Sequence, residues 1–255
     1  MPLKELRDTG ASFGGWIGIP NPVTAELFGA SAFRWSCFDM QHGAVEESDL
    51  LGLIQAMSVG GAASIVRVGW NDPRIIMRVL DLGASGVIVP MIESADDARA
   101  MSSALHYPPR GGRSFGPVRK GLVSESSPVF GLAMIETASG MAALDEIAGV
   151  EDLDGFFIGP VDLALSMGLT LKDVMDGHHD LEAAYGQIAA AAARNGKIVG
   201  SICIAEGQAE RFLDIGINLL ALNSDRGYVT RGLAADAARL DGLRKRVLLQ
   251  KGGHA

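Results

Sequence analysis

Two carboxylates and an arginine stand where an apolar chain has little reason to put them. Glu136 closes the run FGLAMIE (130–136), Asp162 closely follows GFFIG (155–159), and Arg67 interrupts SIVRV (64–68). A charge in or at the end of a buried apolar run is costly unless it is paired or ligates a metal. Two neighbouring carboxylates repel when ionised, and a hard divalent cation such as Mg²⁺ or Mn²⁺, which takes oxygen ligands, relieves that repulsion. With only two protein ligands the cation keeps positions for water and substrate oxygens, as Lewis-acid catalysis requires. The structural alternative is a pair of helix N-caps or salt-bridging carboxylates. Arg67 reads as half of a buried salt bridge to Asp39 or Glu93, as a clamp on an oxyanion or carboxylate, or as both.

His42 lies in Asp39-Met40-Gln41-His42-Gly43, directly after an apolar run, where acid–base work with Asp39 nearby competes with a structural role. His178, His179 and His254 fall in polar or terminal segments and His106 opens a long loop; no ligand-spaced pair with a carboxylate or cysteine is expected among them. The lysines are Lys4, Lys120, Lys172, Lys197, Lys245 and Lys251, and none falls at the C-terminal end of an apolar run. A Schiff-base lysine, and pyridoxal phosphate with it, is therefore not expected, which leaves metal-assisted enolate chemistry.

The elements that must position these groups are legible as an alternation. Apolar runs at 13–19, 33–40, 64–68, 86–90, 130–136, 155–159, 198–203 and 219–223 are separated by segments with helical spacing, such as 48–59, 73–82, 94–105, 139–148, 181–194 and 206–215. Ser94 and Ser139 read as N-caps, Pro73 as a first-turn proline, and Gly60 or Gly61, Gly83, Gly196 and Gly216 as left-handed helix ends. Strand then helix, eight times in 255 residues, predicts an α/β protein: a single-domain (β/α)8 TIM barrel over residues 1–255, with its chemistry on the loops after the strands. Gly14, Gly15 and Gly18 lack the G-x-G-x-x-G spacing, so they read as close-packing positions and NAD is not expected.

Composition narrows the partners. A net charge of −8 opposes nucleic acid and anionic membranes. Cys37 and Cys203 sit apart in apolar runs, as buried free thiols do. The start MPLKELRD offers no signal segment and the longest apolar stretches fall short of the ~18 residues of a membrane span, so a soluble, cytoplasmic protein is expected.

Six motifs in order then resemble a known family: Phe38-Asp39-Met40-Gln41-His42-Gly43; Val66-Arg67-Val68; Leu80-Asp81-Leu82-Gly83-Ala84 running into 86–90; Tyr107-Pro108-Pro109 with Gly111-Gly112-Arg113; Met134-Ile135-Glu136-Thr137; and 154–163, DGFFIGPVDL. From about residue 12 to 225 the chain resembles the HpcH/HpaI aldolase/citrate lyase family. The resemblance implies a class II pyruvate aldolase dependent on Mg²⁺, Mn²⁺ or Co²⁺, which cleaves 4-hydroxy-2-oxo acids to pyruvate or hydroxypyruvate and an aldehyde. It gives the metal to Glu136 and Asp162, the 2-oxo acid carboxylate to the backbone around Gly159, Pro160 and Val161, the keto or enolate oxygen to Arg67, and acid–base work to His42. It adds a family arginine at Arg113 on the substrate side. It also makes Asp81 the partner of the histidine, although the topology puts Asp81 on the opposite rim, so that it reaches a His42 only across a subunit contact; Asp39 is the alternative partner. Gln41 departs from the glutamate that many members carry there.

A homo-oligomer, a hexamer as in the family, is implied, with the apolar C-terminal helix in its packing. Trp16, Trp70 and Phe115 are candidates to shape the aldehyde pocket from loops. The rival activities are oxaloacetate decarboxylation and acyl-CoA lyase chemistry, for which Arg110, Arg113, Arg119 and Lys120 offer the one basic approach, and a non-catalytic barrel that binds small acids.

Overall fold

The eight apolar runs form eight parallel strands that close on themselves. In the computed structural model, which describes residues 2–252, these are β1 (Ser12–Ile17), β2 (Trp35–Asp39), β3 (Ala63–Arg67), β4 (Gly86–Val89), β5 (Phe130–Ile135), β6 (Gly155–Ile158), β7 (Ile198–Ile202) and β8 (Leu219–Ser224). Each pairs with the next, and β8 returns to β1. His254 lies outside the described residues.

Closure gives every strand two buried faces, so the runs are continuously apolar and the period of two shows only in where side chains go. Trp16, Cys37, Ile65, Ile88, Phe130, Leu132, Met134, Phe157 and Leu219 fill the barrel, while their neighbours Ile17, Phe38, Val66, Val87, Ala133 and Ile158 pack outward against the helices. Continuing the alternation places Asp39, Arg67, Glu136 and Gly159 on the inner face at the C-terminal mouth. Asp39 and Arg67 are register partners across β2 and β3. Two of the early glycines are there for closeness: a Cβ on Gly14 would lie 2.3 Å from the Trp35 ring, and one on Gly15 2.3 Å from Phe28.

The helices follow the expected spacing with local differences. Α3 to α5 span Glu47–Val59, Pro73–Asp81 and Ala95–Leu105, α4 opening on Pro73 behind the Asp72 cap and α5 on Ser94, whose hydroxyl accepts the Asp97 N–H. Gly61, Gly83, Gly196 and Gly216 all have positive φ. The segment read as one helix over 139–148 is two short ones, α6 (Ala138–Ala142) and α7 (Leu144–Ala148), and its cap is Thr137 rather than Ser139, with Thr137 Oγ1 accepting the Gly140 N–H at 3.0 Å. The helices α1 (Pro2–Thr9), α2 (Pro22–Gly29), α8 (Pro160–Ser166) and α9 (Leu171–Asp176) are too short to leave a clear 3.6-residue period in the sequence. Α10 (His179–Arg194) and α11 (Gln208–Asp214) flank β7.

The last helix, α12 (Asp225–Gly252), starts against β1 and β8 and then carries exposed Val229, Leu233, Leu240, Leu243 and Val247. Among the described residues no helix is long and apolar enough to cross a membrane.

Candidate active site

The inner face at the mouth holds a fixed charge pair. Arg67 donates from Nε to Asp39 Oδ1 at 2.8 Å and from a terminal nitrogen to Oδ2 at 2.7 Å, a bidentate fork with both side chains buried. Asp39 also accepts Trp16 Nε1–H at 3.1 Å and the backbone N–H groups of Gln41 and His42 at 3.1 and 3.2 Å. Burial pushes its carboxyl pKa up, but the Arg67 hydrogen bonds and charge, helped by Trp16 and the His42 amide, outweigh that and hold it below the ordinary aspartate value. The salt-bridge reading of Arg67 is therefore realised with Asp39 and not Glu93, whose N–H is turned to Asp97. Among the described residues the remaining guanidinium nitrogen has only Met134 Sδ, at 4.0 Å, and stays available to a further acceptor. Trp16, read as a loop residue, is a buried part of this frame: its ring lies 5.1 Å from the Arg67 guanidinium carbon.

Beside the pair stands a carboxylate that lacks a full set of partners. Glu136 is 2 % exposed; Oε1 accepts the Met91 N–H at 2.8 Å, and Oε2 is buried with no hydrogen-bond partner among the described residues. Burial is the main reason its pKa is pushed up to about 7; the Met91 N–H and Arg67 oppose this, and the Asp162 charge adds to it. Asp162 itself is exposed, in the first turn of α8 after Gly159 and Pro160. An orphaned carboxylate oxygen that feels the charge of a second carboxylate is a poor structural device and a suitable oxygen donor set for a hard divalent cation. The residues present fit such an ion.

Two supports of this carboxylate leave no mark in the sequence. Met91 has φ +55°, a left-handed conformation uncommon for a residue other than glycine, and it aims the N–H at Glu136. Gly159 is needed for space: a Cβ there would lie 2.5 Å from Glu136 Oε2 and 2.8 Å from its Cβ. Gly159→Ala is thus expected to swing the carboxylate aside and weaken divalent-cation binding by at least about tenfold, with a stability loss of about 1–3 kcal/mol. Calorimetric titration of the cation against the variant, beside its melting curve, measures both.

The other expected residues divide between two rims. His42 is exposed at the mouth, on the turn after β2. Asp39 does not pair with its ring; the carboxylate is spent on Arg67, Trp16 and two backbone N–H groups, which corrects the expectation of an Asp39–His42 partnership within the chain. Asp81 ends α4 on the opposite rim, as the topology requires, and there it accepts from Arg113 at 2.9 Å. Arg113 is 3 % exposed and stacks on Tyr107, so within one chain it is not at the mouth with Glu136. The reason is connectivity: its loop joins the end of α5 to the start of β5. Arg110, on the same loop, is taken up by Asp152, and Arg119 packs over Gly83, so the basic approach read for an acyl-CoA lies away from the mouth of its own barrel. Lys197 is also at that rim, donating to the carbonyls of Val150 and Leu153. One reading is overturned: His178, His179 and Asp180 do bring ligand atoms within 4.8 Å of one another, on the surface where α9 gives way to α10. Adjacent residues converge there because the two imidazoles stack, 4.6 Å between centroids, at a helix start.

A closed (β/α)8 barrel with charged groups gathered at its C-terminal mouth is the architecture of a barrel enzyme. The chain matches the HpcH/HpaI aldolase/citrate lyase family over residues 12–231, and it belongs to that family. It is 37% identical over 237 residues to a hydroxypyruvate/pyruvate aldolase of Rhizorhabdus wittichii, covering 89% of this chain and 94% of the relative. It is 32% identical over 242 residues to a 4-hydroxy-2-oxo-heptane-1,7-dioate aldolase of Salmonella heidelberg, covering 91% of each. The crystal structure of a family protein from Burkholderia cenocepacia superimposes with a TM-score of 0.85 at 26% identity, covering 93% of this chain and 98% of that one.

Proposed function

We propose that this chain is a divalent-metal-dependent aldolase that reversibly cleaves 4-hydroxy-2-oxo acids into pyruvate, or hydroxypyruvate, and an aldehyde. The observation that carries the reading is Glu136: a buried carboxylate with one oxygen unpartnered, set beside Asp162 and Arg67 at the mouth of the barrel. The aldolase names of relatives that align over about nine-tenths of the chain support the reaction class.

Held by Glu136 and Asp162, a divalent cation such as Mg²⁺, Mn²⁺ or Co²⁺ supplies Lewis acidity at the 2-oxo acid and charge compensation for its enolate. The N–H groups of Val161 and Asp162 open α8 behind Gly159 and Pro160, have no intrahelical acceptor, and receive the substrate carboxylate. Arg67, locked by Asp39, turns its third nitrogen to the oxygen on which enolate charge develops. His42 takes the proton of the 4-hydroxyl as the C3–C4 bond breaks; its electron pair becomes the enolate, the carbonyl of the aldehyde forms, and a proton returned to C3 completes pyruvate.

Asp81 serves the His42 of a neighbouring copy, which makes a homo-oligomer part of this proposal. The exposed apolar side chains of α12 are its packing surface, and a hexamer is the expected size. Light scattering then returns a mass several times that of one chain. The substrates are small acids and aldehydes, with no nucleic acid or membrane partner, and the place of work is the cytoplasm.

Pyruvate release from a 4-hydroxy-2-oxo acid tests the reaction. Activity is expected to vanish in EDTA and to return with Mg²⁺, Mn²⁺ or Co²⁺. Full activity in EDTA, together with trapping by borohydride, overturns the metal mechanism.

A further inference from the structure

We propose that His178, His179 and Asp180 form a second metal site, which binds a borderline divalent cation such as Zn²⁺, Ni²⁺ or Cu²⁺ and fastens the corner between α9 and α10. The inference goes beyond the aldolase reading and does not depend on it. Asp162 opens α8, whereas these three residues open α10, two helices further along the chain and on the surface.

Consecutive residues inside a helix point about 100° apart and do not face each other. Their convergence here follows from where the helix begins. His178 is the N-cap of α10, with φ −60° and ψ 134°, behind Gly177 at φ +74°, while His179 and Asp180 are the first two helical residues. That bend lays the His178 ring over the His179 ring, with centroids 4.6 Å apart and planes 29° from parallel. The Asp180 carboxylate reaches both: Oδ1 is 3.1 Å from His179 Nε2, and Oδ2 is 3.9 Å from His178 Nδ1. His178 Nδ1 accepts the Asp180 N–H at 3.3 Å, so its lone pair is free of a proton and turned toward Asp180, the form in which an imidazole ligates. That bond is long and exposed, and a cation takes over the lone pair while water receives the N–H.

The charges of the corner single out Asp180. Residues 171–182 hold four carboxylates and one lysine, a balance that draws a cation. Asp173 is engaged by Thr170, Asp176 by Lys172, and Glu182 faces Arg211 at 3.5 Å. Among the described residues the Asp180 carboxylate has no ion pair other than those with the two imidazoles. Two imidazole nitrogens and a carboxylate oxygen, all within 4.8 Å of one another, make a facial ligand set whose remaining positions go to water. Imidazole suits Zn²⁺, Ni²⁺ and Cu²⁺, whereas carboxylate and water suit Mg²⁺, so this corner and the Glu136–Asp162 pair select different cations. One ion shared by the N-cap and the first turn suppresses the fraying to which an exposed helix start is prone.

The test is a calorimetric titration of the full chain with Zn²⁺ in excess Mg²⁺, carried out on Glu136→Gln so that the barrel mouth takes no part. One equivalent per chain is expected to bind at a Zn²⁺ concentration on the order of micromolar. Adding His179→Ala or Asp180→Asn lowers the affinity by at least the roughly 10- to 100-fold that even an outer-shell partner of a metal is worth. His178→Asn, which keeps a side chain able to cap the helix, abolishes binding when combined with His179→Ala. With one equivalent of Cu²⁺ as the probe, electron paramagnetic resonance shows two coupled imidazole nitrogens, and one after His179→Ala. Amide hydrogen exchange over residues 177–182 slows when Zn²⁺ is bound. Binding that needs millimolar Zn²⁺, an affinity unchanged in His179→Ala, or the same nitrogen couplings with and without His179 overturns the site. Exchange at the corner that bound Zn²⁺ leaves unaltered overturns its fastening role. Should a variant at His178 fail to fold, His179→Ala and Asp180→Asn, both at exposed positions, decide alone.

Discussion

Glu136→Gln eliminates divalent-cation binding and lowers pyruvate release by about 10³-fold or more, while the metal-free barrel stays folded and becomes more stable than wild type at pH 8. The two halves of this result have one cause. Glutamine keeps the shape and can still accept the Met91 N–H, but it brings no charge into a site that is 2 % exposed. The wild-type carboxyl has its pKa pushed up from 4.5 to about 7, chiefly by burial. A folded pKa raised above the unfolded one means that, between those values, the unfolded chain has released a proton which the folded chain still holds. Metal-free stability therefore declines as pH rises from about 4.5 to about 7 and levels off above, a loss of roughly 2–4 kcal/mol that Glu136→Gln does not share. Cation binding runs against the same proton, so below about pH 7 the apparent affinity falls by up to about tenfold per pH unit. Melting curves at pH 5 and pH 8 without metal, and calorimetric titration across that range, test both halves. Wild-type cation affinity in Glu136→Gln would sink the site assignment. The Ala variant is the harsher form of the same test, with the fold again retained and metal binding gone.

What the sequence made legible follows from how costly it is to bury charge and break a period. Arg67 and Glu136 stand out because every neighbour in their runs is apolar, and the two-residue period then fixes which way they point. The strands fall within a few residues of the apolar runs because a parallel barrel buries both strand faces and leaves few other readings for them. Other features depend on distance across the fold and leave no local mark. Nothing about Met91 announces a left-handed conformation, and Gly159, which the family resemblance places only in the backbone that receives the substrate carboxylate, shows its closeness to Glu136 only once that side chain is seen against it. Asp39 and His42 looked like partners from their spacing of three. The partner of Asp39 is instead Arg67, opposite it on the next strand, and only the backbone of His42 reaches the carboxylate. Arg113 follows the helical segment 94–105 and precedes the run 130–136, so its rim is legible from the alternation; its pairing with Asp81 there is not, because it depends on how a long loop folds back.

The Arg67–Asp39 pair gives the second large effect, and the variants separate its structural role from its catalytic one. Arg67→Ala leaves Asp39, 1 % exposed, ionised with Trp16 and two backbone N–H groups as its only remaining donors. Removing one partner of a buried pair costs about 3–5 kcal/mol, and denaturant titration should show that loss. Restoring the cation with Arg67→Lys recovers a good part of the stability, because one ammonium still faces the carboxylate. It does not recover the reaction, since an ammonium engaged by Asp39 has no rigid third nitrogen to turn toward the enolate. Arg67→Lys is therefore expected to stay folded and metal-binding while kcat/KM falls about 10²–10³-fold, the size of losing one preorganised donor to a developing oxyanion. Activity in Arg67→Lys within a few-fold of wild type would reduce Arg67 to a structural counter-ion. Asp39→Asn completes the cycle: it frees the guanidinium without removing it, so the variant is destabilised, and its kcat drops to the extent that the fork, rather than the charge alone, aims Arg67. A coupling between the two sites that is large in stability yet absent from kcat would mean that Asp39 holds the barrel mouth together without orienting the catalytic cation.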